Sequence, residues 1–255
     1  MKKIVVLLIM AFTLFLSCSK DDASNEKLVG GNLVSNNQKS TGRSAYDLLS
    51  DNQFKSMVIE LVYIEGYEPS TTTITDFVAF LNERIYKPNG IRVVKRAIPS
   101  SGKATITNQQ IIDIEDKNRT LYNSANEITV WAFFVDSESD KNTDTSVILG
   151  TAYRNTSFVI YEKTIQRLSG RFSQPSRTLL ETTVVEHEFG HILGLTNLGT
   201  TLQSNHEDIE HSKHCNVKSC LMYWEAESGA TLFSGGTVPK LDPQCLADLK
   251  ANGGK

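Results

Sequence analysis

Apolar and polar positions along this chain fall into blocks whose period changes, and each period predicts an element. Met57 to Tyr67 is a β-branched, apolar run of strand length and is read as the first strand. Thr72 to Tyr86 puts Phe77, Phe80 and Leu81 on one helical face, with Thr73 or Thr75 able to cap it. The turn Lys87-Pro88-Asn89-Gly90 leads to a second strand, Ile91 to Ile98. Ile111, Ile112, Ile114 and Leu121 predict a second helix from Asn108 to Asn123, and Glu127 to Asp136 is the strongest buried strand. After a polar loop from Ser137 to Thr145, Val147 to Tyr153 and Ser157 to Tyr161 predict a hairpin. Strand, helix, strand, helix, strand implies an α/β domain with parallel pairing and right-handed crossovers, and the hairpin makes the sheet mixed. Pro175 and Ser176 open a long helix in which Leu180, Val184, Ile192 and Leu195 recur at helical spacing, and Gly194 ends it. Glu225 to Pro239 reads as loop and Pro243 to Ala251 as a short terminal helix. There is no internal repeat.

The N-terminus stands outside this pattern. Met1-Lys2-Lys3 is followed by an apolar run from Ile4 to Leu16, too short to span a bilayer comfortably and right for the core of a signal peptide. Ser17-Cys18 resembles the lipobox of bacterial lipoproteins, which implies residues 1–17 as a lipoprotein signal peptide and Cys18 as the lipidated new N-terminus. The competing reading is cleavage without lipid. Residues 18–44 are rich in Ser, Asn, Asp, Lys and Gly and read as a disordered tether, with residues 45–255 as the domain. Ser19-Lys20-Asp21-Asp22 resembles the acidic export tags of some surface lipoproteins in Gram-negative bacteria, equally readable as a solvated linker. The expected location is extracytoplasmic, on a bacterial membrane, with the outer membrane or cell surface in view.

Composition fits a soluble globular domain, 40% hydrophobic and 22% charged. Cleavage after residue 17 removes two of the 26 basic residues and none of the 29 acidic ones, so the net charge moves from −3 to −5. A mildly acidic chain argues against nucleic acid as a partner. With Cys18 lipidated, Cys215, Cys220 and Cys245 remain, an odd set that implies a disulfide plus a thiol, or a metal site.

The candidate chemistry lies in the long helix. His187-Glu188-x-x-His191 places two imidazoles at i and i+4 on one face, able to meet one metal ion, with Glu188 beside them. All five histidines, including His206, His211 and His214, lie in this helix or just after it. The chain continues His214-Cys215-x4-Cys220-x-Met222. His-Glu-x-x-His-x-x-Gly with a later Met resembles the metzincin zinc proteases, and His-Cys-x4-Cys-x-Met resembles their archaemetzincin branch, over Glu186 to Tyr223. The resemblance implies a mixed sheet, a long metal-binding helix, an irregular C-terminal part with a Met-turn at Met222, and a short terminal helix. It also implies a catalytic Zn2+ on His187, His191 and His214, and Glu188 as general base for peptide hydrolysis. The usual third-ligand position, three residues after the glycine, is Asn197, a poor zinc donor. His214 takes that role when counted back from the cysteines and Met222, with His206 and His211 as alternatives. A second, structural zinc is implied at Cys215, Cys220 and Cys245 with Asp242 in place of a fourth cysteine, and a disulfide among these cysteines competes with it. The partners expected are a peptide or protein substrate and a membrane. The alternative function is a non-catalytic, zinc-containing surface lipoprotein that binds peptides or proteins.

Overall fold

A computed structural model describes residues 26–171, 174–228 and 236–255. The stretch read as a signal peptide and Cys18 lie outside the described residues. Five strands, Ser56–Ile64 (β1), Ile91–Ile98 (β2), Glu127–Phe134 (β3), Gly150–Arg154 (β4) and Ser157–Ile160 (β5), form one sheet in the order β2-β1-β3-β5-β4. The first four run parallel, and β4 turns back antiparallel to β5 to make an edge. This is the mixed α/β sheet that the sequence pattern implies.

Side chains alternate between two faces, as a pleated strand requires. Met57, Ile59 and Leu61 of β1, Val130, Ala132 and Phe134 of β3, and Phe158 and Ile160 of β5 share the larger core. It is covered by the helices Thr71–Arg84 (α1) and Arg177–Ile192 (α3). Val62, Ile64, Trp131, Phe133 and Val159 face the other way, against Ile111 of the helix Asn108–Asn118 (α2). Phe77 of α1, Phe158 of β5 and Phe189 of α3 meet edge to face, with centroids 5.2–6.3 Å apart. Each such pair contributes about 0.5–1.5 kcal/mol beyond the area it buries. Every residue of α3 from Leu180 to Ile192 is buried, so this helix runs through the interior and is not a solvated surface helix.

The elements begin where side chains can satisfy free amides. Ser70, not Thr73 or Thr75, caps α1 by accepting the Thr73 amide at 3.1 Å. α2 opens on a reciprocal capping box between Thr107 and Gln110 and ends at Asn118, earlier than the apolar spacing implies. Beyond it Arg119 leaves the helix, buried and bonded to Glu115 and to the Thr129 carbonyl. Ser176 caps α3, so Pro175 lies just outside the helix. A short helix, Glu225–Ser228, stands in the predicted C-terminal loop, and the terminal helix Pro243–Ala251 (α4) has the predicted bounds.

The stretch read as a tether is ordered from residue 26. Leu28–Val29 and Asn32–Leu33 pair as a small hairpin, and a 3-10 turn follows at Val34–Asn37. Asn37 is fully buried and donates to Asn123 Oδ1 at 2.8 Å and to Thr156 Oγ1 at 3.0 Å. Polar composition suggested a solvated chain, but these amides satisfy polar groups of the sheet instead. Among the described residues, no helix is long and apolar enough to cross a membrane.

Candidate metal centre

α3 carries His187, Glu188 and His191 into the interior, where they are 0%, 0% and 5% exposed. The ring of His187 is fixed from behind: its Nδ1–H donates to the Leu221 carbonyl at 2.7 Å, so the lone pair of the neutral ring is on Nε2. That nitrogen stands 3.1 Å from His191 Nε2. Two nitrogens bound to one tetrahedral ion about 2.0–2.1 Å away stand roughly 3.3 Å apart. The pair is therefore spaced as ligands of one zinc-sized cation would be.

His214 completes the cluster from across the chain. Its ring lies 5.4 Å from that of His187 and 5.2 Å from that of His191, and one nitrogen of each ring falls within 4.8 Å of the others. Its Nδ1 faces the Ser212 carbonyl at 3.2 Å, which turns Nε2 toward the other two imidazoles. The alternatives lie elsewhere. Asn197 donates to Glu207 at 3.1 Å, and Glu207 also accepts the Lys213 amide at 2.8 Å. Asn197 thus helps fasten the loop that presents His214. His211 pairs with Asp208 at 3.0 Å and stacks on Trp224 with centroids 4.2 Å apart.

Glycines set the clearances. A Cβ on Gly150 would lie 2.6 Å from Glu188 Cγ and 2.7 Å from Oε1, so only glycine lets edge strand β4 pass the carboxylate. On the far side of the helix, a Cβ on Gly190 would lie 2.3 Å from Met222 Sδ, so that sulfur packs directly under the two histidine turns. Gly194, at φ +80, ends the helix and lets the chain turn away. His191, His214 and Glu188 open onto a cleft bordered by Gly150, Thr151, Lys141 and Lys213.

A second polar cluster lies behind this one. Cys215, Cys220 and Cys245 converge as free thiols, 0–3% exposed. The neighbouring thiols, Cys215 first and then Cys245, hold the Cys220 thiol well below the usual range, while Cys215 and Cys245 are pushed up. Asp242 is present but caps α4 through the Cys245 amide at 2.8 Å. His206, an alternative third ligand in the sequence, stands in this second cluster and not with His187 and His191. It is fully buried here, with Nδ1 3.5 Å from Cys215 Sγ and Nε2 2.7 Å from Asp248 Oδ2. One signal could have found Asp248: it follows Cys245 by three residues on a helix, and so shares its face. The two clusters are joined through the backbone. His214 directly precedes Cys215, whose amide donates to the Met222 carbonyl at 2.7 Å, next to the carbonyl that orients His187.

The fold can now be compared with solved structures. Archaemetzincin from Methanopyrus kandleri matches 78% of this chain and 96% of its own, at 16% identity and a TM-score of 0.50. The fold is archaemetzincin-like. A zinc-dependent peptidase from Methanocorpusculum labreanum aligns over 75% of this chain and 99% of its own at 14% identity, with a TM-score of 0.49. Metalloproteinase-II from Bacteroides fragilis aligns over 80% of this chain and 54% of its own at 10% identity, with a TM-score of 0.44. No family profile and no curated protein matches the sequence. In the archaemetzincin-like fold the two polar clusters occupy the turn of the chain from α3 to α4.

Proposed function

We propose that the chain is a zinc-dependent peptidase. The observation that carries this reading is the trio His187, His191 and His214, three imidazoles within 4.8 Å of one another with the buried Glu188 carboxylate on the same helix. Three nitrogen donors with no fourth protein ligand among the described residues suit a catalytic zinc, which keeps a position open. When bound, zinc would supply Lewis acidity toward a carbonyl oxygen and a water of lowered pKa.

The chain's own groups would do the rest. Glu188 would accept the proton of the attacking water on a carboxylate oxygen and return it to the leaving amine nitrogen. Leu221 O and Ser212 O would hold His187 and His214 in the tautomers that present Nε2. Met222 would serve as the packing floor beneath the histidines, the role the Met-turn resemblance implies. β4 is the edge strand beside Glu188, so an extended peptide could lie along it and add main-chain hydrogen bonds. Cys18 would tether the enzyme to a bacterial membrane through lipid, outside the cytoplasm.

The deciding experiment is Glu188→Ala, with turnover measured on a mixed peptide library and zinc by elemental analysis. The reading requires that turnover be lost while zinc stays, because Glu188 is a base and not a ligand. Unchanged turnover would overturn it. Separately, Cys18→Ala should move the protein out of the membrane fraction. A variant that still sediments with membranes at high salt rules out the lipid tether.

A further inference from the structure

The strand edge beside Glu188 is short, and side chains of this protein close it at both ends. In the run that leads into β4, the Leu149 carbonyl points inward and accepts the Tyr161 amide at 2.9 Å, and Thr151 stands opposite Val159. Alternation along an antiparallel strand therefore turns the main-chain groups of Ile148, Gly150 and Ala152 outward, and all three residues line the cleft. The Ile148 amide already donates to Asn142 Oδ1 at 2.9 Å, and the Ala152 carbonyl already accepts the Thr41 hydroxyl at 3.4 Å. Thr41 is not on a loose flap, since a Cβ on the next residue, Gly42, would lie 1.7 Å from Leu198 O. A strand-like peptide can pair with the open part of this edge over only about three residues. Main-chain bonds are then few, and the choice of substrate falls to the side chains of the cleft.

The charged ones among them are mostly cations. The cleft, about 260 Å³ in volume, is lined by Lys141 and Lys213, and Glu188 is its one carboxylate among the described residues. Both lysines are exposed, and neither ammonium is paired with an acid among the described residues. The Lys213 backbone is held in the left-handed region, at φ +70. Its amide donates to Glu207 Oε1 at 2.8 Å, and its carbonyl accepts the Thr196 hydroxyl. A lysine keeps that conformation only where its surroundings fix it. The residue directly before His214 is thus set at the same rim as the imidazole. Against these two positive charges stands the single negative charge of Glu188, so the cleft is net positive before any metal is bound. Such a concave site concentrates negative groups and opposes positive ones.

We propose that the cleft selects short peptides that carry a carboxylate beside the scissile bond, and that Lys213 and Lys141 are the residues that read it. The proposal rests on the peptidase reading above and names its substrate class. The carboxylate comes either from an Asp or Glu side chain or from the free C-terminus of the peptide, which offers the same group. A lysine or arginine at that place is disfavoured.

The test uses the zinc-loaded full-length chain and short alanine peptides carrying a single Asp, Ala or Lys at each position in turn. Each is offered as the free acid and as the C-terminal amide, with products read by mass spectrometry. At the preferred position kcat/KM should be about tenfold higher for Asp than for Ala, and lower again for Lys. The advantage should shrink as ionic strength is raised. Lys213→Glu should invert the order and favour Lys over Asp, a gain that misfolding does not produce. Lys141→Glu repeats the test without touching the loop that presents His214. An Asp advantage that survives amidation assigns the side-chain carboxylate. A loss of about tenfold on amidation, with Asp adding nothing, assigns the C-terminal one. Equal turnover of Asp, Ala and Lys peptides with no effect of amidation overturns the proposal and leaves the peptidase reading standing. It is equally overturned if both lysine variants keep the original order. If no peptide is cleaved at all, the peptidase reading itself fails, and the proposal with it.

Discussion

At the scale of single residues, what surrounds Glu188 matters as much as its identity. Gly150 leaves no room for even a methyl group against that carboxylate. Gly150→Ala should displace Glu188 while leaving the three imidazoles in place. The expected outcome is a fall in kcat/KM on the order of 10²-fold, the cost of a shift of about 1 Å in a catalytic group, with zinc content unchanged. Full activity in this variant would remove Glu188 from the chemistry. His214 and Asn197 make a second pair of tests. His214→Ala should strip zinc from the first cluster, whereas Asn197→Ala should leave zinc affinity nearly unchanged, because Asn197 acts only through Glu207. The i, i+4 histidines and the glutamate between them are legible in the sequence because a helix converts spacing into direction. His206, Asp248 and Gly150 are not, because each matters through a partner 38 to 42 positions away that no local pattern encodes.

At the scale of elements, periodicity read the sheet well and the helix starts less well. β2 and α4 have the predicted bounds, and β1, β3 and α1 differ by a few residues at their ends. The caps were harder to place, since several Ser and Thr residues near a helix start can all serve and the choice rests on which one leaves the helix. For α3 it is Ser176, whose hydroxyl accepts the Leu179 amide at 3.1 Å. Ser176→Ala should lower stability by about 1 kcal/mol, read as a shift in the denaturant midpoint with an unchanged slope. Activity per folded molecule should stay constant, because the cap lies about three turns from His187. A fall in specific activity with no change in midpoint would place Ser176 in the site instead.

At the scale of the whole molecule, two buried polar assemblies hold the layers together. Residues 26–44, read from composition as a tether, supply Asn37, which reaches Asn123, Thr156 and the Thr129 carbonyl. Composition could not reveal this, since a buried asparagine and a solvated one look alike until their partners are known. Asn37→Ala would leave buried groups unsatisfied and should cost about 1–3 kcal/mol. A chain starting at residue 45 should fold poorly where one starting at residue 26 folds well, as judged by cooperative thermal unfolding. The second assembly is Glu162 and Glu181, both fully buried around Arg177. Burial first, and then the charge of Glu181, raise Glu162 from its ordinary 4.5 to about 9. The folded state therefore keeps a proton that the unfolded state releases. Its contribution to stability is complete below pH 4.5 and is lost as the pH climbs to about 9. Glu162→Gln, neutral at every pH, should match the natural chain near pH 4.5 and melt progressively higher than it toward pH 9. A constant difference in melting temperature across that range would show that Glu162 is ionised in the fold.

The loop from Leu198 to Lys213 is pinned at its middle as well as at its ends. Asn216 donates to the His206 carbonyl at 2.9 Å, Asp208 donates to that of His214 at 2.8 Å, and the His206 ring is tied to Asp248. Closing a loop costs entropy that grows only with the logarithm of its length. One long loop split into short, separately closed segments therefore leaves slack at one place, the tip around Ile209, which is 94% exposed. A protease offered the native protein should nick this tip before any other point between α3 and His214. Over evolutionary time, the same tip is where the chain could gain or lose residues without moving a single imidazole or sulfur.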